Sequence, residues 1–387
     1  MDAQTFSVEE EARMNKRVLN ALLAVIMTVT LIGCKDRLDL EDVVFPLAIG
    51  LDLDKNNNLT IYDIHPVFTK NVKKKNQEIH VTTSTIRMAK EQIDAHTAGI
   101  FQGRKTQVFL ISKKILQQDG WFPMTDVFFR DAKNPLTPRV IVYNGPLSDI
   151  FSLNPPDEPI LPVLLRGMVD TKSARSETVS TTMQKLHWQM YEKGITPCIS
   201  EIALSANHDV TLHGTTLLTH KGKFAVSFSS EETVFMSILQ KNAGKTVSIS
   251  ISAPDESKKG PFDMSRVSFD AKGVNTKIKS SYMQNKFHFD IRIKMPIVIS
   301  ELLFPFDLQK NGPELEKIIS RQVQKQFESI IQKIQKHKID PIGLGRYARA
   351  HHYSQFKKAE DRWGEELAKA DIRISVKITI EATGPVK

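Results

Sequence analysis

The chain has 387 residues, 41% hydrophobic and 25% charged, with 53 Lys and Arg against 44 Asp and Glu for a formal net charge of +9. Those fractions suit a folded globular protein and exclude a disordered one. The length suits two or three domains at roughly 150 residues each. With only two cysteines, Cys34 and Cys198, a disulfide framework and a CxxC metal site are excluded. The basic excess does not indicate nucleic acid, because no helix-turn-helix, finger or RNP motif accompanies it. It suits an anionic membrane surface, where each nearby Lys or Arg adds about 1 kcal/mol of attraction.

Lys16 and Arg17 precede Val18–Ile32, a run without charge in which Asn20 is the one strongly polar residue. A positive segment followed by a short apolar core is the pattern of a secretory signal peptide, and a permanent span needs about 20 residues. The run closes on Leu31-Ile32-Gly33-Cys34. An apolar residue, two small or apolar residues and a cysteine resemble the bacterial lipobox. The resemblance implies cleavage between Gly33 and Cys34 and a covalent diacylglycerol and acyl lipid on the Cys34 sulfur. No other cofactor is implied. The alternative is an uncleaved anchor that ends beside a cysteine. A lipid on Cys34 would rule out a Cys34–Cys198 disulfide, and Cys198 reads as a small buried residue. Asp2, Glu9, Glu10 and Glu11 do not fit a signal peptide, so residues 1–13 read as a misassigned start ahead of Met14.

Residues 34–42 read as a lipidated tether. Its acids Asp36, Asp39, Glu41 and Asp42 lack the glycine and spacing of an EF-hand, so solvent is their expected partner. Val43–Leu53 and Leu59–Phe68 read as strands around Asp54-Lys55-Asn56-Asn57-Asn58. Lys73-Lys74-Lys75 reads as a solvated loop. Ile79–Thr85 is strand-like, Ile86–Ile100 helical on Ala89, Ile93 and Ala98, Thr106–Ser112 a strand, Ile115–Arg130 helical around Gly120 and Pro123, and Arg139–Tyr143 a strand. The alternation predicts an α/β domain over 43–200. Within it Asn154–Pro159 is a breaker cluster, and a helix over Val179–Tyr191 ends at Gly194-Ile195-Thr196-Pro197.

After residue 200 strand patterns dominate: Val210–Thr219, Phe224–Phe228, Val247–Ile251 and Arg266–Ala271. Phe287, Phe289, Ile291, Ile293 and Met295 alternate with polar residues, as do Ile372, Ile374, Val376, Ile378 and Ile380, so one face is buried and one is solvated. Between them Pro313–Lys338 carries a stripe of Leu315, Ile318, Ile319, Val323, Phe327, Ile330, Ile331 and Ile334, with Pro313 in the first turn. Ser354–Lys369 carries Phe356, Ala359, Trp363 and Leu367. A mixed α+β and α/β chain follows: an N-terminal α/β part and, over 201–385, a largely antiparallel sheet covered by helices on one face. A further division of either part would give three domains.

Catalytic patterns are missing: there is no Gly-x-Ser-x-Gly elbow and no P-loop. Gly343-Leu344-Gly345 follows a helix and reads as a helix C-terminal turn. The adjacent side chains of His351-His352 point apart, which does not make a metal site. No metal is expected.

Several blocks in order resemble the Ger(x)C family, the lipoprotein C subunit of bacterial spore germinant receptors. They are Gly33-Cys34-Lys35-Asp36-Arg37, Ile49-Gly50-Leu51-Asp52, Phe129-Arg130-Asp131, Asp340-Pro341-Ile342-Gly343-Leu344-Gly345, and Trp363 ahead of the last strand. Lys35 stands where the family usually has tryptophan, and Gly103-Arg104-Lys105 where it has Gly-His. The resemblance implies a non-enzymatic subunit on the outer face of the spore inner membrane, needed for germination and acting with membrane subunits A and B. Asp36 and Arg37, in the opening block, are candidate contacts. Arg321, Lys325 and Lys333, on the polar side of the long helix with Lys317 and Lys336, are candidates for docking an acidic A-subunit surface or the anionic membrane; a solvated face is the plainer alternative. Two other readings compete. An extracytoplasmic solute-binding lipoprotein needs two doubly wound lobes around a cleft, and an exported hydrolase needs a nucleophile or metal constellation. The sequence names neither the germinant nor which of several paralogous receptors is involved.

Overall fold

The structure, a computed structural model, describes residues 3–30, 39, 42–67, 75–153, 160–252, 263–304 and 306–382. The first helix, α1 (Ala3–Thr30), carries the apolar N-terminal run. Val18, Leu19, Leu22, Leu23, Val25, Ile26 and Met27 on it are all exposed. No described helix is long and apolar enough to cross a membrane.

The N-terminal domain takes in β1 (Val43–Val44), β2 (Ala48–Leu53), β3 (Leu59–Pro66), β4 (Asn76–Thr82), α2 (Ile86–Asp94), β5 (Ile100–Phe101), β6 (Val108–Ser112), α3 (Asp126–Arg130), β7 (Arg139–Tyr143), α4 (Leu147–Phe151), α5 (Leu161–Ala174), α6 (Met183–Tyr191), β8 (Cys198–Leu204), β9 (Val210–Leu218) and β10 (Phe224–Ser229). Among the described residues its sheet has eight strands in the order β10-β9-β8-β7-β6-β2-β3-β4. The central pairs β2–β6, β6–β7 and β7–β8 are parallel and the flanking pairs antiparallel. Continuous apolar runs such as Val108–Ile111 and Val140–Val142 suit central strands buried on both faces. α2, α3 and α6 cover one face. α4 and α5 cover the other.

The Ile49-Gly50-Leu51-Asp52 block finds its reason in this packing. A Cβ at Gly50 would lie 2.7 Å from the Phe151 ring, so glycine lets α4 close on β2. The buried Asp52 carboxylate accepts the Leu147 N–H at 2.7 Å and so caps α4.

The sheet carries on past the expected domain change near residue 200, which falls inside β8; β9 and β10 extend it to Ser229. The helix expected over Ile86–Ile100 stops at Asp94, whose carboxylate turns to accept the Phe101 N–H at 2.7 Å, and Ile100–Phe101 pairs with β1. The Ile115–Arg130 helix is broken: Gly120, at φ 76°, and Pro123 leave two 3₁₀ turns and the short α3. The Val179–Tyr191 helix starts at Met183, where the Thr182 hydroxyl accepts the Lys185 N–H at 3.1 Å.

The C-terminal domain holds α7 (Ser230–Leu239), β11 (Thr246–Ser252), β12 (Arg266–Lys272), β13 (Asn275–Met283), β14 (Lys286–Leu302), α8 (Leu308–Lys336), α9 (Leu344–His351), α10 (Tyr353–Ala359), α11 (Trp363–Lys369) and β15 (Asp371–Ala382). β14 pairs antiparallel with β13 along its first half and with β12 along its second. β15 joins it in parallel, the one departure from an antiparallel sheet among these pairs. The alternating residues of β14 bury Phe287 to Ile299 against α7, α8 and α11. α8 has a non-helical residue at Asn311, so Pro313 lies in the first turn beyond a kink. The expected Ser354–Lys369 helix is two helices separated by a 3₁₀ turn, Glu360–Arg362.

Candidate functional site

The polar residues singled out in the sequence fall in two places among the described residues: the joint between the domains and the outer side of α8. At the joint, Glu192–Pro197, which leads from α6 into β8, meets the segment between α8 and α9. The Thr196 N–H donates to the Asp340 carbonyl at 2.9 Å, and the Asp340 N–H donates to the Thr196 hydroxyl at 3.0 Å. The Asp340 carboxylate is fully buried. Its Oδ1 accepts from Gly343 N–H at 2.8 Å and Leu344 N–H at 3.0 Å, and its Oδ2 from Gly345 N–H at 2.7 Å and the Trp363 indole at 2.8 Å. Burial pushes this carboxyl up, while the Gly345, Trp363, Leu344 and Gly343 donors pull it down. All four partners only donate, so the arrangement is built for the carboxylate form.

Glycine is required around it. Gly343 sits at φ 83°, in the left-handed region. A Cβ on Gly345 would stand 2.7 Å from the Gly194 Cα and 2.7 Å from the Trp363 indole nitrogen. Ion pairs ring the joint. Arg349 holds both Glu192 oxygens, at 2.7 and 3.1 Å, and Lys193 pairs with Asp361 at 2.9 Å. The Arg346 guanidinium lies 5.7 Å over the Trp188 ring. The Asp-x-x-Gly-x-Gly block and the distant tryptophan are therefore one structural lock whose carboxylate oxygens are already taken. Gly343-Leu344-Gly345 is not a helix C-terminal turn, as read from sequence. It opens α9, because Asp340 supplies the acceptors that its first N–H groups need.

On α8 the apolar stripe from Leu315 to Ile334 is buried, apart from the half-buried Ile318. Lys317, Arg321, Lys325 and Lys336 are exposed. Lys333 is a correction to the docking set. Its ammonium pairs with Glu232 and lies 6.0 Å from the Phe228 ring centroid. Glu232 is half of a capping box on α7: it accepts the Ser229 N–H at 3.0 Å and returns its own N–H to the Ser229 hydroxyl at 3.2 Å. The last turns of α8 cross the start of α7, which commits Lys333 to the fold.

Gly33, Cys34, Asp36 and Arg37 lie outside the described residues. Cys198 is buried, with the Gln189 amide 3.6 Å from its sulfur. His351 faces its own helix, its Nδ1 lying 3.0 Å from the Tyr347 carbonyl. Among the described residues no three His, Cys, Asp or Glu side chains group as metal ligands would. Sequence reasoning missed one buried pair on β3: His65 Nδ1 is 2.5 Å from Asp63 Oδ2. Burial raises the Asp63 carboxyl and His65 lowers it. Its signal was polar residues on the apolar face of Ile61-x-Asp63-x-His65.

Comparison with known proteins covers both domains. A family model described as the spore germination protein N-terminal domain matches residues 36–204, and one described as spore germination B3/GerAC like, C-terminal, matches residues 213–384. The chain is 19% identical over 411 residues to spore germination protein KC of Bacillus subtilis strain 168, spanning 96% of this chain and 97% of that one. It is 23% identical over 380 residues to spore germination protein A3 of the same strain, spanning 92% and 96%. The crystal structure of the GerBC protein matches with a TM-score of 0.57 at 16% identity, over 86% of this chain and 96% of that one. At that identity the likeness concerns the fold.

Proposed function

The chain belongs to the spore germination B3/GerAC-like family, and on that premise we propose that it is a non-enzymatic lipoprotein subunit of a spore germinant receptor. In this reading a lipid on Cys34 holds it at the outer face of the spore inner membrane, and it works through contacts with membrane subunits A and B. The observation that carries the reading is family likeness over both domains behind a lipobox-like Leu31–Cys34. The saturated joint supports it too: both Asp340 carboxylate oxygens are taken up in holding the domains together.

The solute-binding alternative fares worse. The second domain is an antiparallel sheet with one parallel strand, not a second doubly wound lobe. The apolar cleft under α2, between Ile49, Ile86, Phe101 and Phe128, offers about 60 Å³. That is well below the roughly 150 Å³ of a cavity that takes benzene.

The anchor is tested by metabolic labelling. Two acyl chains give stable attachment, whereas one gives only marginal binding, K about 10⁴ M⁻¹. Cys34→Ala is expected to abolish incorporation of labelled palmitate and to release the chain from the membrane fraction. Undiminished labelling would remove the lipoprotein assignment.

A further inference from the structure

The C-terminal sheet buries one face against α7, α8 and α11 and turns the other to solvent. Strand alternation sends Lys277 of β13, Arg292 and Lys294 of β14 and Lys377 of β15 to that outer face, and all four are exposed. The pairing sets like charges directly opposite each other. Lys277 stands across from Arg292, and Lys294 across from Lys377. Such neighbours, about 5 Å apart at their Cβ atoms, destabilise a sheet when nothing answers them. Asp290 answers Arg292 at 2.8 Å. Lys277, Lys294 and Lys377 have no ion-pair partner among the described residues.

The surface continues round the edge of the sheet. Lys377 also lines a groove of about 690 Å³ between β15 and α8, together with Lys317, Arg321 and Lys325. These three recur at four-residue steps, about 6 Å apart along the helix axis. They too have no ion-pair partner among the described residues. Both acids of the groove are engaged: Glu316 accepts the Ile380 N–H at 2.8 Å, and Glu328 the Gln324 amide at 2.8 Å.

The residue types indicate the partner. Most of these cations are lysines, hydrated point charges without the rigid fork that arginine offers to a single carboxylate or phosphate. Protein interfaces are enriched in aromatic residues and arginine and depleted in lysine. Between the cations lie Asn275, Ser375, Ser320 and Gln324, not aromatic anchors. A shallow polar surface with many lysines suits a fluid layer of anionic headgroups, where each nearby Lys or Arg strengthens attraction about fivefold.

We propose that the outer face of β13, β14 and β15, with the adjoining edge of α8, is one surface that lays the C-terminal domain against anionic lipid headgroups. The inference rests on the receptor-subunit reading for the membrane beside the chain, and adds which face of the second domain meets it.

The test places the full chain on phosphatidylcholine vesicles, with and without about one-third phosphatidylglycerol, and measures how fast an acetylating reagent modifies each exposed lysine. Lys277, Lys294 and Lys377 are expected to react about fivefold more slowly on the anionic vesicles. They should regain their rates when salt rises from about 0.1 M to about 1 M and the Debye length falls from about 10 Å to about 3 Å. Lys277→Glu with Lys377→Glu turns both like-charge pairs into opposite-charge pairs, so the sheet keeps its fold, as a thermal melt checks, while the face loses positive charge. In that variant the slowing at Lys294 should fall to about twofold or less. Equal rates on the two vesicles, slowing spread evenly over all exposed lysines, or full slowing at Lys294 in the double variant overturns the proposal. Equal rates on vesicles combined with shielding of the three lysines in isolated spore inner membrane would assign the face to an acidic protein instead. Association with phosphatidylcholine vesicles reports the lipid anchor, and co-isolation of subunits reports receptor membership, so failure of either is distinct from failure of this face.

Discussion

The indole N–H of Trp363 donates to the buried carboxylate of Asp340 at 2.8 Å, across twenty-three residues of chain. The same carboxylate collects three backbone N–H groups, and its own backbone is bonded in both directions to Thr196 in the other domain. Asp340→Asn puts an amide N–H₂ against donors and leaves at least one buried N–H unpaired. The expected loss is about 3 kcal/mol, in line with one to three kcal/mol for each unsatisfied buried group. Trp363→Phe should lose about 1.5–3 kcal/mol, the worth of a hydrogen bond to a charged group. Urea unfolding of both variants and the double variant checks this, and the cycle should be non-additive because the two residues share one bond.

Two glycines make opposite predictions. Gly345→Ala forces a Cβ to within 2.7 Å of the Gly194 Cα, so the domains must shift apart and stability should fall. Gly167 lies inside α5 with nothing within 4 Å of an added Cβ. Gly167→Ala should raise stability by about 0.5–1 kcal/mol through helix propensity. Thermal melts of the two variants separate the cases by sign.

Lys333 and Lys325 share a helix face in the sequence but not a role in the structure. Lys333→Glu sets a carboxylate beside Glu232 and disturbs the α7 capping box. About 1 kcal/mol is expected, within the 0.5–2 kcal/mol range of a lost cap and discounted because the side chain is partly solvated. Lys325→Glu should change stability by no more than about 0.5 kcal/mol. Chemical denaturation distinguishes them.

His220, in the turn between β9 and β10, is held below the ordinary histidine value of 6.5 by burial and by Lys193, against the pull of Asp361 and Glu192. The unfolded chain therefore binds this proton more readily than the folded one. The contribution is fully present above pH 6.5 and is lost as pH falls through the depressed folded value. Comparing urea midpoints at pH 7.5 and pH 5.5 should show a smaller drop for His220→Gln than for the natural chain.

Much of this architecture is legible in the sequence because it rests on local periodicity. The alternation from Phe287 to Met295 and from Ile372 to Ile380 placed β14 and β15, and the Leu315-to-Ile334 stripe placed α8. Helix ends were less legible. The run from Ile86 overshoots because its stop is a side-chain bond from Asp94 to Phe101. α5 went unread, since Pro162 and Gly167 interrupt its pattern beside the Asn154–Pro159 breaker cluster. The joint was visible only as a family motif: Thr196 and Asp340 are 144 residues apart, and no periodicity reports such a pairing. The docking set was half legible, for the exposure of Arg321 and Lys325 follows from the helix period, whereas the loss of Lys333 depends on where α7 lies.

Isolation of the chain from the inner membrane of dormant spores tests the central claim most directly. The chain would carry a C-terminal affinity tag and be solubilised in mild detergent, with its Cys34→Ala variant beside it. The account predicts that the natural chain brings down its multi-spanning A and B subunits, and that spores carrying the variant lose both the association and the germination response. Recovery of the natural chain without those subunits, from spores that germinate normally when it is deleted together with its paralogues, would contradict it.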